Sequence, residues 1–562
     1  MNTSGKGGAA NGASLAPGFM VVHSNRLEDL RSLAVSWMQR YPLAPLENEV
    51  ILVQSNGIAQ WLKLALAEDP AADDTTSAPG AGGASFSGGG HGCGIAAAID
   101  VQLPASFLWT AYRAVLGRAS IPESSPLDKA SLTWRLMRLL PTLIHQESFA
   151  PLRRFLHDDA QMRKLHQLSE RLADLFDQYQ VYRADWLDDW AHGRDQLITS
   201  RKGVRVLQGQ ECWQPALWRA LLEDVGAESM AQSRAGVHQR FMATLRTLER
   251  RPAGLPRRIM VFGISSMPAQ ALEALAALGK LCQVLLCVHN PSQHHWTDIV
   301  ADQDLLRHQY QRQRRKPGMP AVIDADVLHR HGHPLLAAWG KQGRDYIHLL
   351  DSFDAPDQYR EAFADVSDRR IDLFTEQPAD TLLTQLHDDV LQLRAMEETR
   401  DTWPPVDLDA DTSIRFHVAH GPQREVEILH DQLLARFSAD PTLRPRDVIV
   451  MVPAIDTYAP HIQAVFGQID HTDDRHIPFT LADQGQRGRE PLLIAVEHLL
   501  RLPESRFAVS DVLDLLDVPA LRHRFGIKES DLPTLHRWIQ GAGIRWGLDA
   551  AQRASLDLPG GM

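Results

Sequence analysis

Residues 50–66, VILVQSNGIAQWLKLAL, decide the fold class of this chain. The branched apolar run ends at Gln54, a short polar turn follows, and apolar residues then recur at helical spacing. An earlier segment has the same order, because residues 19–23 are apolar and Asn25, with Glu28 three positions later, is typical of a helix start. This alternation of strands and helices predicts an α/β fold with a doubly wound parallel sheet.

The middle of the chain has a helical residue pattern without predicted strands, and the α/β pattern then returns. After Trp109 the sequence is helical over a long stretch, which predicts a helical subdomain. The apolar positions that recur on one helical face are Leu165, Leu168, Leu172, Leu175 or Phe176, and Tyr179. Apolar segments at 259–265 (IMVFGIS) and 282–290 (CQVLLCVHN) flank an alanine-rich helix, and we expect them to add strands to the first sheet.

A third βαβ-like stretch begins near residue 411. It contains a predicted strand at 413–420 (SIRFHVAH), a helix over 424–437 and a predicted strand at 447–453 (DVIVMVP). The chain then stops without the further strands of a doubly wound domain, which predicts a truncated or interrupted protein. The predicted organisation is a disordered tail (1–18), a first α/β domain in two parts (19–120, with a low-complexity insert at 70–92, and 251–300), a helical subdomain (121–250), a polar connecting region (301–410) and an incomplete second α/β domain (411–562).

Composition places the chain among ordinary globular proteins. Its 562 residues are 44% hydrophobic and 23% charged, which excludes collagen-like, coiled-coil and wholly disordered classes. Lys and Arg number 58 against 70 Asp and Glu, so the net charge of −12 provides no general basic field, and nucleic-acid binding requires a local channel. Without an apolar span, a signal segment or a CxxC pair, we expect a cytoplasmic protein with no membrane contact, zinc site or disulfide.

The loops after the predicted strands lack the residues of a nucleotide site. Ligands of a doubly wound sheet bind beyond the carboxyl ends of its strands. A phosphate-binding loop there ends in Gly-Lys-Ser or Gly-Lys-Thr, but Gly57 is followed by Ile58, and no other Gly-Lys pair completes the motif. The segment VFGIS (261–265) has glycine and serine where a magnesium-binding strand ends in acidic residues. The pattern is typical of a nucleotide-dependent motor domain that lacks the residues for phosphate and magnesium binding.

Other candidate sites are weak. Alternating spacing suits metal ligands at Asp324, Asp326, His329, His331 and His333. Polar loops rich in histidine are far commoner than metal sites, so none is assigned. The basic run 312–316 (RQRRK) is more typical of a solvated surface than of a phosphate contact. No nucleophile elbow, HExxH motif or nuclease carboxylate cluster supports a self-contained hydrolase.

Two sets of polar residues suit contacts with nucleobases. They are Gln54, Asn56 and Gln60 in the turn after the second strand, and Asp174, Asp177, Gln178 and Arg183 in the helical subdomain. By periodicity alone both sets are ordinary solvated positions. Gln, Asn, Asp and Arg are nevertheless the side chains that hydrogen-bond base edges. Trp61 and Trp109 are able to stack on bases, although packing in the core is the commoner role.

Six segments give the sequence a specific resemblance. They are VVHSNRLEDL (21–30), ILVQSNGIAQWL (51–62), GIAAAIDVQLPASFLW (94–109), RKLHQLSERLADLFDQYQVYRADWL (163–187), HPLLAAWGKQGRDYIHLL (333–350) and HVAHGPQREVEILHDQLL (417–434). In this order they resemble the RecC family, the gamma subunits of bacterial exodeoxyribonuclease V, the RecBCD enzyme. The resemblance runs from about residue 19 to the end. The tail and the 70–92 insert have no counterpart in the family pattern, and family chains continue well beyond residue 562.

The resemblance implies a fold like that of a superfamily 1 helicase without a functional ATP site, so that 19–120 with 251–300 and 411–562 become helicase-like domains. It implies a scaffold that holds the RecB and RecD subunits, which use ATP and Mg²⁺, channels single-stranded DNA and recognises the recombination hotspot Chi. Residues that match the family's tunnel lining are Gln54, Asn56, Gln60, Leu103, Trp109, Asp174, Leu175, Asp177, Gln178 and Arg183, with Arg234 as a weaker match. Asn56 stands where the family has threonine, which leaves the hotspot sequence open.

The sequence therefore predicts a noncatalytic DNA-channelling and Chi-recognising subunit, with no cofactor or metal of its own, for double-strand break repair by homologous recombination. One alternative is a self-sufficient nucleotide-dependent helicase or nuclease. Another is a truncated scaffold with no DNA contact. The docking surfaces for RecB and RecD and the roles of the tail and insert are not encoded in any recognisable pattern.

Overall fold

The structure is a computed structural model that describes residues 16–68, 93–121, 125–159, 162–199, 203–226, 233–296, 333–407, 409–482, 490–502 and 505–555. The predicted 70–92 insert, the basic run 312–316 and most of the predicted 1–18 tail lie outside these residues. So do four of the five weak metal-ligand candidates, all except His333. The chain divides into two compact units, Met1–Arg415 and Phe416–Met562.

A five-stranded parallel sheet forms the centre of the first unit. Its strands are β1 (Gly18–Ser24), β2 (Glu49–Val53), β3 (Ile99–Gln102), β6 (Arg258–Phe262) and β7 (Gln283–His289). Their order in the sheet is β1-β7-β6-β2-β3. The two late strands insert between β1 and β2, which confirms that the second α/β stretch joins the first sheet. The short edge strand β3 was not predicted, because Asp100 and Gln102 interrupt its apolar pattern.

Helices lie on both faces of this sheet. Those of the first unit outside the helical subdomain are α1 (Leu27–Arg40), α2 (Asn56–Leu66), α3 (Pro104–Leu116), α9 (Arg234–Thr247), α10 (Ala269–Leu278), α11 (Pro334–Trp339), α12 (Lys341–Asp351), α13 (Pro356–Tyr359), α14 (Ala364–Ser367), α15 (Leu382–Leu391) and α16 (Met396–Thr402). Alternate strand side chains point to opposite faces, so the sheet separates two cores. One core joins the sheet to α3, α9, α10 and α12, and the other joins it to α1, α2 and residues 359–373. The parallel α/β prediction is confirmed at this level.

The helical subdomain has its own core. Its elements are α4 (Lys129–Leu143), α5 (Ala150–Leu156), α6 (Arg163–Tyr182), α7 (Ala184–Ala191), a hairpin of β4 (Gln196–Thr199) and β5 (Gly203–Val206), and α8 (Trp213–Val225). Leu165, Leu172 and Phe176 of α6 are buried against the neighbouring helices, as the predicted stripe required. The hairpin was not predicted, since all four β5 residues are exposed and carry no alternation of buried and exposed positions.

The second unit is helical where the structure describes it. Its helices are α17 (Pro422–Ala439), α18 (Ile455–Val465), α19 (Pro491–Arg501), α20 (Val509–Leu516), α21 (Pro519–Phe525), α22 (Leu532–Gly541) and α23 (Ala550–Ser555). The predicted strands at 413–420 and 447–453 are wrong, because neither segment forms a strand. An apolar run becomes a strand only beside a hydrogen-bonding neighbour. Here Phe416, Val418 and Met451 are 91%, 97% and 88% exposed.

Candidate nucleic-acid interface

The carboxyl end of β2 presents three of the predicted contact residues. Gln54 follows the strand, Ser55 caps α2 by accepting a hydrogen bond from the backbone of Ile58, and Asn56 and Gln60 occupy the first turns of the helix. All three predicted residues are exposed. The Gln54 side-chain oxygen accepts hydrogen bonds from the Ser265 backbone N–H at 3.1 Å and from its hydroxyl at 2.9 Å. Its NH₂ group therefore remains available as a donor.

Leu103 lies at the same edge of the sheet, because β3 pairs in parallel with β2 and Leu103 directly follows β3. Its side chain is 43% exposed. Trp109, six residues further along α3, is partly buried and packs on the core, with its ring 5.9 Å from that of Tyr112. Trp61 packs in the same way, 6.1 Å from the ring of Phe262. Both tryptophans are thus partly buried against the core, and the DNA contact of Trp109 stays a prediction.

The carboxyl end of β1, where a helicase-like domain would hold nucleotide phosphates, is occupied by the chain itself. Leu373 donates its backbone N–H to the carbonyl of His23 at 2.8 Å. The Asn25 amide donates to the Thr375 carbonyl and accepts from its backbone N–H, both at 2.9 Å. Asn25 was predicted to cap α1, which is wrong: Arg26 is the N-cap residue and makes no side-chain cap bond. The amide is committed to the segment that covers the loop.

At the border of the helical subdomain, α4 and α6 of that subdomain and α9, which packs on the sheet, bring four predicted residues into one charged cluster. Lys129 donates to Asp174 at 2.8 Å, and Gln178 donates to the other oxygen of Asp174 at 3.0 Å. Arg234, at the start of α9, lies 3.4 Å from Asp177. Its guanidinium also pairs with Asp128 at 3.2 Å. Sequence reasoning missed Asp128 and Lys129, whose only signal was an Asp just before a helix start.

Asp177 is the unusual member of this cluster. One of its carboxylate oxygens is buried and accepts no hydrogen bond from the residues that the structure describes, although Arg234 lies near it. Burial raises the pKa of the Asp177 carboxyl above its ordinary value, Arg234 opposes the shift, and the nearby carboxylates of Asp128 and Asp174 add to it. A buried acceptor without a donor costs free energy in the empty protein.

Arg183 and Leu175 lie elsewhere on the subdomain. Leu175 packs at the rim of the helical core. Arg183 stands between α6 and α7, with its guanidinium 3.6 Å above the ring centre of Trp186. It donates to both oxygens of Asp185, at 2.9 and 2.7 Å, and to the Ile198 carbonyl. Most of its donors are used internally, so what it offers to a ligand is the face of the guanidinium opposite Trp186.

The predicted residues thus form a sheet-edge group (Gln54, Asn56, Gln60 and Leu103) and a helical group (Asp174, Asp177, Gln178 and Arg234), with Arg183 on a separate turn. No hydrogen bond or ion pair joins the two groups among the residues that the structure describes. Within the same residues, no group of three or more His, Cys, Asp or Glu is arranged to hold a metal ion. No helix in the described ranges is both long and apolar enough to cross a bilayer.

Two family models match this sequence. The model described as "RecC, N-terminal domain" matches residues 19–393, well over half of the chain. The chain belongs to the RecC family. A second model, "RecBCD enzyme subunit RecC fourth domain", matches residues 489–562. The family of the six resembling segments is therefore confirmed.

RecC relatives align over nearly the whole chain. The RecBCD enzyme subunit RecC of Escherichia coli (strain K12) is 42% identical over 96% of this chain and 46% of the relative. The subunit of Haemophilus influenzae is 36% identical over 95% of this chain and 47% of the relative. That of Mycobacterium tuberculosis is 28% identical over 92% and 42%. The chain spans about half the length of the RecC relatives it matches.

Proposed function

We propose that this chain contributes the single-stranded-DNA contacts of a noncatalytic RecC subunit. In this role it assembles with RecB and RecD partners in the cytoplasm, channels one strand of the unwound duplex, and recognises the Chi hotspot during repair of double-strand breaks. ATP hydrolysis, Mg²⁺ binding and strand cleavage belong to the partner subunits. Its first unit corresponds to a superfamily 1 helicase domain that has lost its nucleotide site.

The occupied end of β1 supports the noncatalytic role. A nucleotide-binding loop leaves its backbone N–H groups open toward the phosphates. Here residues 371–375 bond to the corresponding loop, and the Ser24 hydroxyl donates to the Leu373 carbonyl at 2.9 Å. Nucleotide entry would require breaking these bonds and displacing Ile371 and Leu373 from the core, where both are 1% exposed.

The observation that carries the proposal is the partly exposed carboxylate of Asp177, which lies beside Arg234 in the charged cluster. Exocyclic amines and ring N–H groups of nucleobases are donors, and the 27% exposed Asp177 side chain offers them the carboxylate oxygen that lies outside the buried contact with Arg234. Gln178 and Arg234 lie beside it and supply donors for base carbonyls or ring nitrogens. The sheet-edge group adds the free NH₂ of Gln54, whose oxygen is fixed by Ser265.

Affinity and recognition are separable in this arrangement. Phosphate contacts bind any sequence, whereas contacts to base edges discriminate among sequences. The proposed residues are mostly amides and carboxylates, which suit base edges and not phosphates. Their loss is therefore expected to reduce the response to the hotspot and to leave general strand passage intact.

The experiment is a reconstituted complex of the full RecC subunit with its RecB and RecD partners, on duplex DNA with and without the hotspot. Asp177→Asn and Gln54→Ala are expected to lower the hotspot response and to leave unwinding unchanged. Asp158→Asn is the matched control, because Asp158 is an 80% exposed carboxylate of the same subdomain that pairs with the neighbouring His157. Normal hotspot response in both test variants would refute the assignment.

A further inference from the structure

We propose that the outer edge of β5 is a docking site for an extended acidic segment of a partner protein, which adds to the β4–β5 hairpin as a third strand. All four residues of β5, Gly203–Val206, are exposed, and β4 is its neighbour in this two-stranded sheet. A cleft of about 400 Å³ lies beside the strand and is lined by Arg205, Leu207 and Trp213 among others. An open edge next to a side-chain pocket is the arrangement by which proteins bind peptides through strand addition.

The hydrogen-bond pattern of the hairpin determines which backbone groups of β5 point outward. Leu207 donates its N–H to the Asp195 carbonyl at 2.8 Å, so these two residues form a hydrogen-bonded pair. Such pairs alternate with non-hydrogen-bonded pairs in an antiparallel ladder. The next pair, Gln196 with Val206, is therefore of the second kind, and so is the pair of Val204 two residues earlier. The N–H and C=O groups of both valines thus point away from β4.

The two edges of the hairpin differ in what covers them. On the β4 edge, the Gln196 carbonyl accepts the indole N–H of Trp190 at 2.9 Å. The Ile198 carbonyl accepts the indole N–H of Trp186, also at 2.9 Å. On the β5 edge, the backbone groups of the two outward-facing valines make no hydrogen bond within the described part of the chain. Proteins commonly protect an exposed edge with a proline, a bulge or a covering helix. Helix α7 covers the β4 edge in this way, and the β5 edge is left open.

The side chains of β5 determine the sequence that the added strand should have. Val204 and Val206, 58% and 63% exposed, lie on one face of the hairpin, and Arg205 lies on the other face, beside the cleft. Residues of an added strand that bond to the two valines place their side chains next to them, which favours apolar side chains. The residue between those two lies opposite Arg205. An acidic side chain is favoured there, because opposite charges on neighbouring strands attract each other.

The cleft beside Arg205 also suits a carboxylate. Arg205 pairs with Glu211 at 2.9 Å, and its side chain stays 52% exposed. Arg154 donates to the side-chain oxygen of Gln210 at 3.1 Å, which leaves the NH₂ group of this amide as a donor. Two cations and an amide donor therefore stand against one carboxylate at this cleft. This balance favours an acidic side chain over a basic one.

A second copy of this chain fits the open edge less well. Two β5 strands related by a two-fold axis pair in antiparallel orientation. The register that uses both outward-facing valines puts Arg205 opposite its own counterpart, in a non-hydrogen-bonded pair with Cα atoms about 4.5 Å apart. Like charges directly opposite each other are destabilising. The occupant is therefore a segment of a different protein, with the pattern apolar–acidic–apolar.

The test is fluorescence anisotropy of the full chain with a labelled peptide of sequence Ser-Thr-Val-Glu-Val-Thr-Ser. We expect saturable binding that weakens roughly 1.5- to 5-fold when lysine replaces the glutamate, the range for one cross-strand charge pair. N-methylation of both valines of the peptide removes two backbone donors and leaves the side chains unchanged. Each hydrogen bond lost in this way is expected to weaken binding about 2- to 13-fold.

Val206→Pro tests the edge from the protein side. Proline deletes the outward N–H, which the pairing with β4 does not use, and it is tolerated on edge strands. We expect this variant to melt like the wild type and to bind the peptide about 2- to 13-fold more weakly. Val206→Thr is the matched control, because threonine keeps both the donor and the strand propensity. Arg205→Ala should remove the difference between the glutamate and lysine peptides.

Absence of saturable binding, or equal affinity for the N-methylated and unmodified peptides, would overturn strand addition even if the proline variant failed to fold. Equal binding of the glutamate and lysine peptides by the wild type would overturn the acidic assignment. Displacement of the peptide by single-stranded oligo(dT) would assign the edge to nucleic acid. A dimer in analytical ultracentrifugation that Val206→Pro abolishes would assign it to a second copy. Either of these two results would also overturn the proposal.

Discussion

Replacing Asp177 by asparagine should stabilise the protein and weaken its function together. One buried carboxylate oxygen accepts no hydrogen bond from the residues that the structure describes, and a charged acceptor in that state costs more than the neutral amide of asparagine would, by about 1–2 kcal/mol. The ion pair with Arg234, at 3.4 Å and partly exposed, returns about 0–1 kcal/mol. Removing the charge also removes repulsion from Asp128 and Asp174. We therefore expect the free energy of unfolding to rise by about 1 kcal/mol at neutral pH.

The expected stability difference between the Asn variant and the wild type depends on pH in a defined direction. The folded-state pKa of Asp177 is raised, so its contribution to stability is fully present below the ordinary pKa of an aspartate and is lost as pH rises through the raised value. Asparagine does not titrate. The gain of the Asn variant over the wild type should thus be largest at pH 7 to 8 and should shrink toward acid.

The assay is urea unfolding of both chains, followed by circular dichroism at pH 8 and pH 5, beside the hotspot assay on reconstituted complexes. Loss of one base-edge contact is expected to reduce hotspot discrimination by roughly 1–3 kcal/mol. Asp158→Asn, with its exposed carboxylate, should show no gain in stability. A variant destabilised at pH 8, or one whose stability difference grows toward acid, would refute this account of Asp177.

Four other outcomes are expected. Glu49→Ala should lower the free energy of unfolding by about 3–5 kcal/mol, because Arg258 is fully buried, bonds Glu49 at 2.9 Å and would lose its counter-charge. The double variant with Arg258→Met should recover most of that loss. If it does not, the loss does not come from an unpaired buried charge. Leu172→Asp, at a 5% exposed position of the helical core, should lower the free energy of unfolding by about 3 kcal/mol or more in the urea assay. Unchanged stability would mean that α6 does not pack against the neighbouring helices. The affinity of the complex for single-stranded DNA should fall with salt at a log–log slope of about 0.7 per phosphate contacted, and a flat response would indicate a protein-only scaffold. Equilibrium dialysis of the chain with ATP should show no binding, and saturable binding would contradict an occupied β1 loop.

The strands that the sequence predicted correctly are those buried on both faces. In β1, β6 and β7 most residues are apolar and buried, and such a continuous apolar run can be recognised from the sequence alone. The short strand β3 and the exposed hairpin have no such run. The opposite error occurred at 447–453, where an equally apolar run forms no strand because strand formation depends on a neighbour that the run itself does not encode.

In the candidate interface, too, the features set by local sequence were predictable and those set by tertiary packing were not. Helical periodicity placed Asp174, Asp177 and Gln178 on one side of α6, and their proximity is confirmed. The approach of Arg234 to Asp177, from a helix 57 positions later in the chain, depends on tertiary packing and was carried only by a weak family match. The burial of one Asp177 oxygen and the self-occupied end of β1 have no sequence signal at all.

The strand order of the sheet also determines how long β1 remains without a neighbouring strand while the chain is being synthesised. Among the strands of this sheet β1 is synthesised before the others, and its neighbour in the sheet, β7, follows roughly 260 residues later, so at about 5–20 residues per second β1 waits on the order of 10–50 s for that strand. Val21 and Val22, both fully buried in the end, have no sheet to join during that interval. The β2–β3 pair forms long before. A nascent chain stalled before β7 would therefore present β1 as an unpaired apolar strand, which is the kind of segment that chaperones bind and that aggregates when they do not.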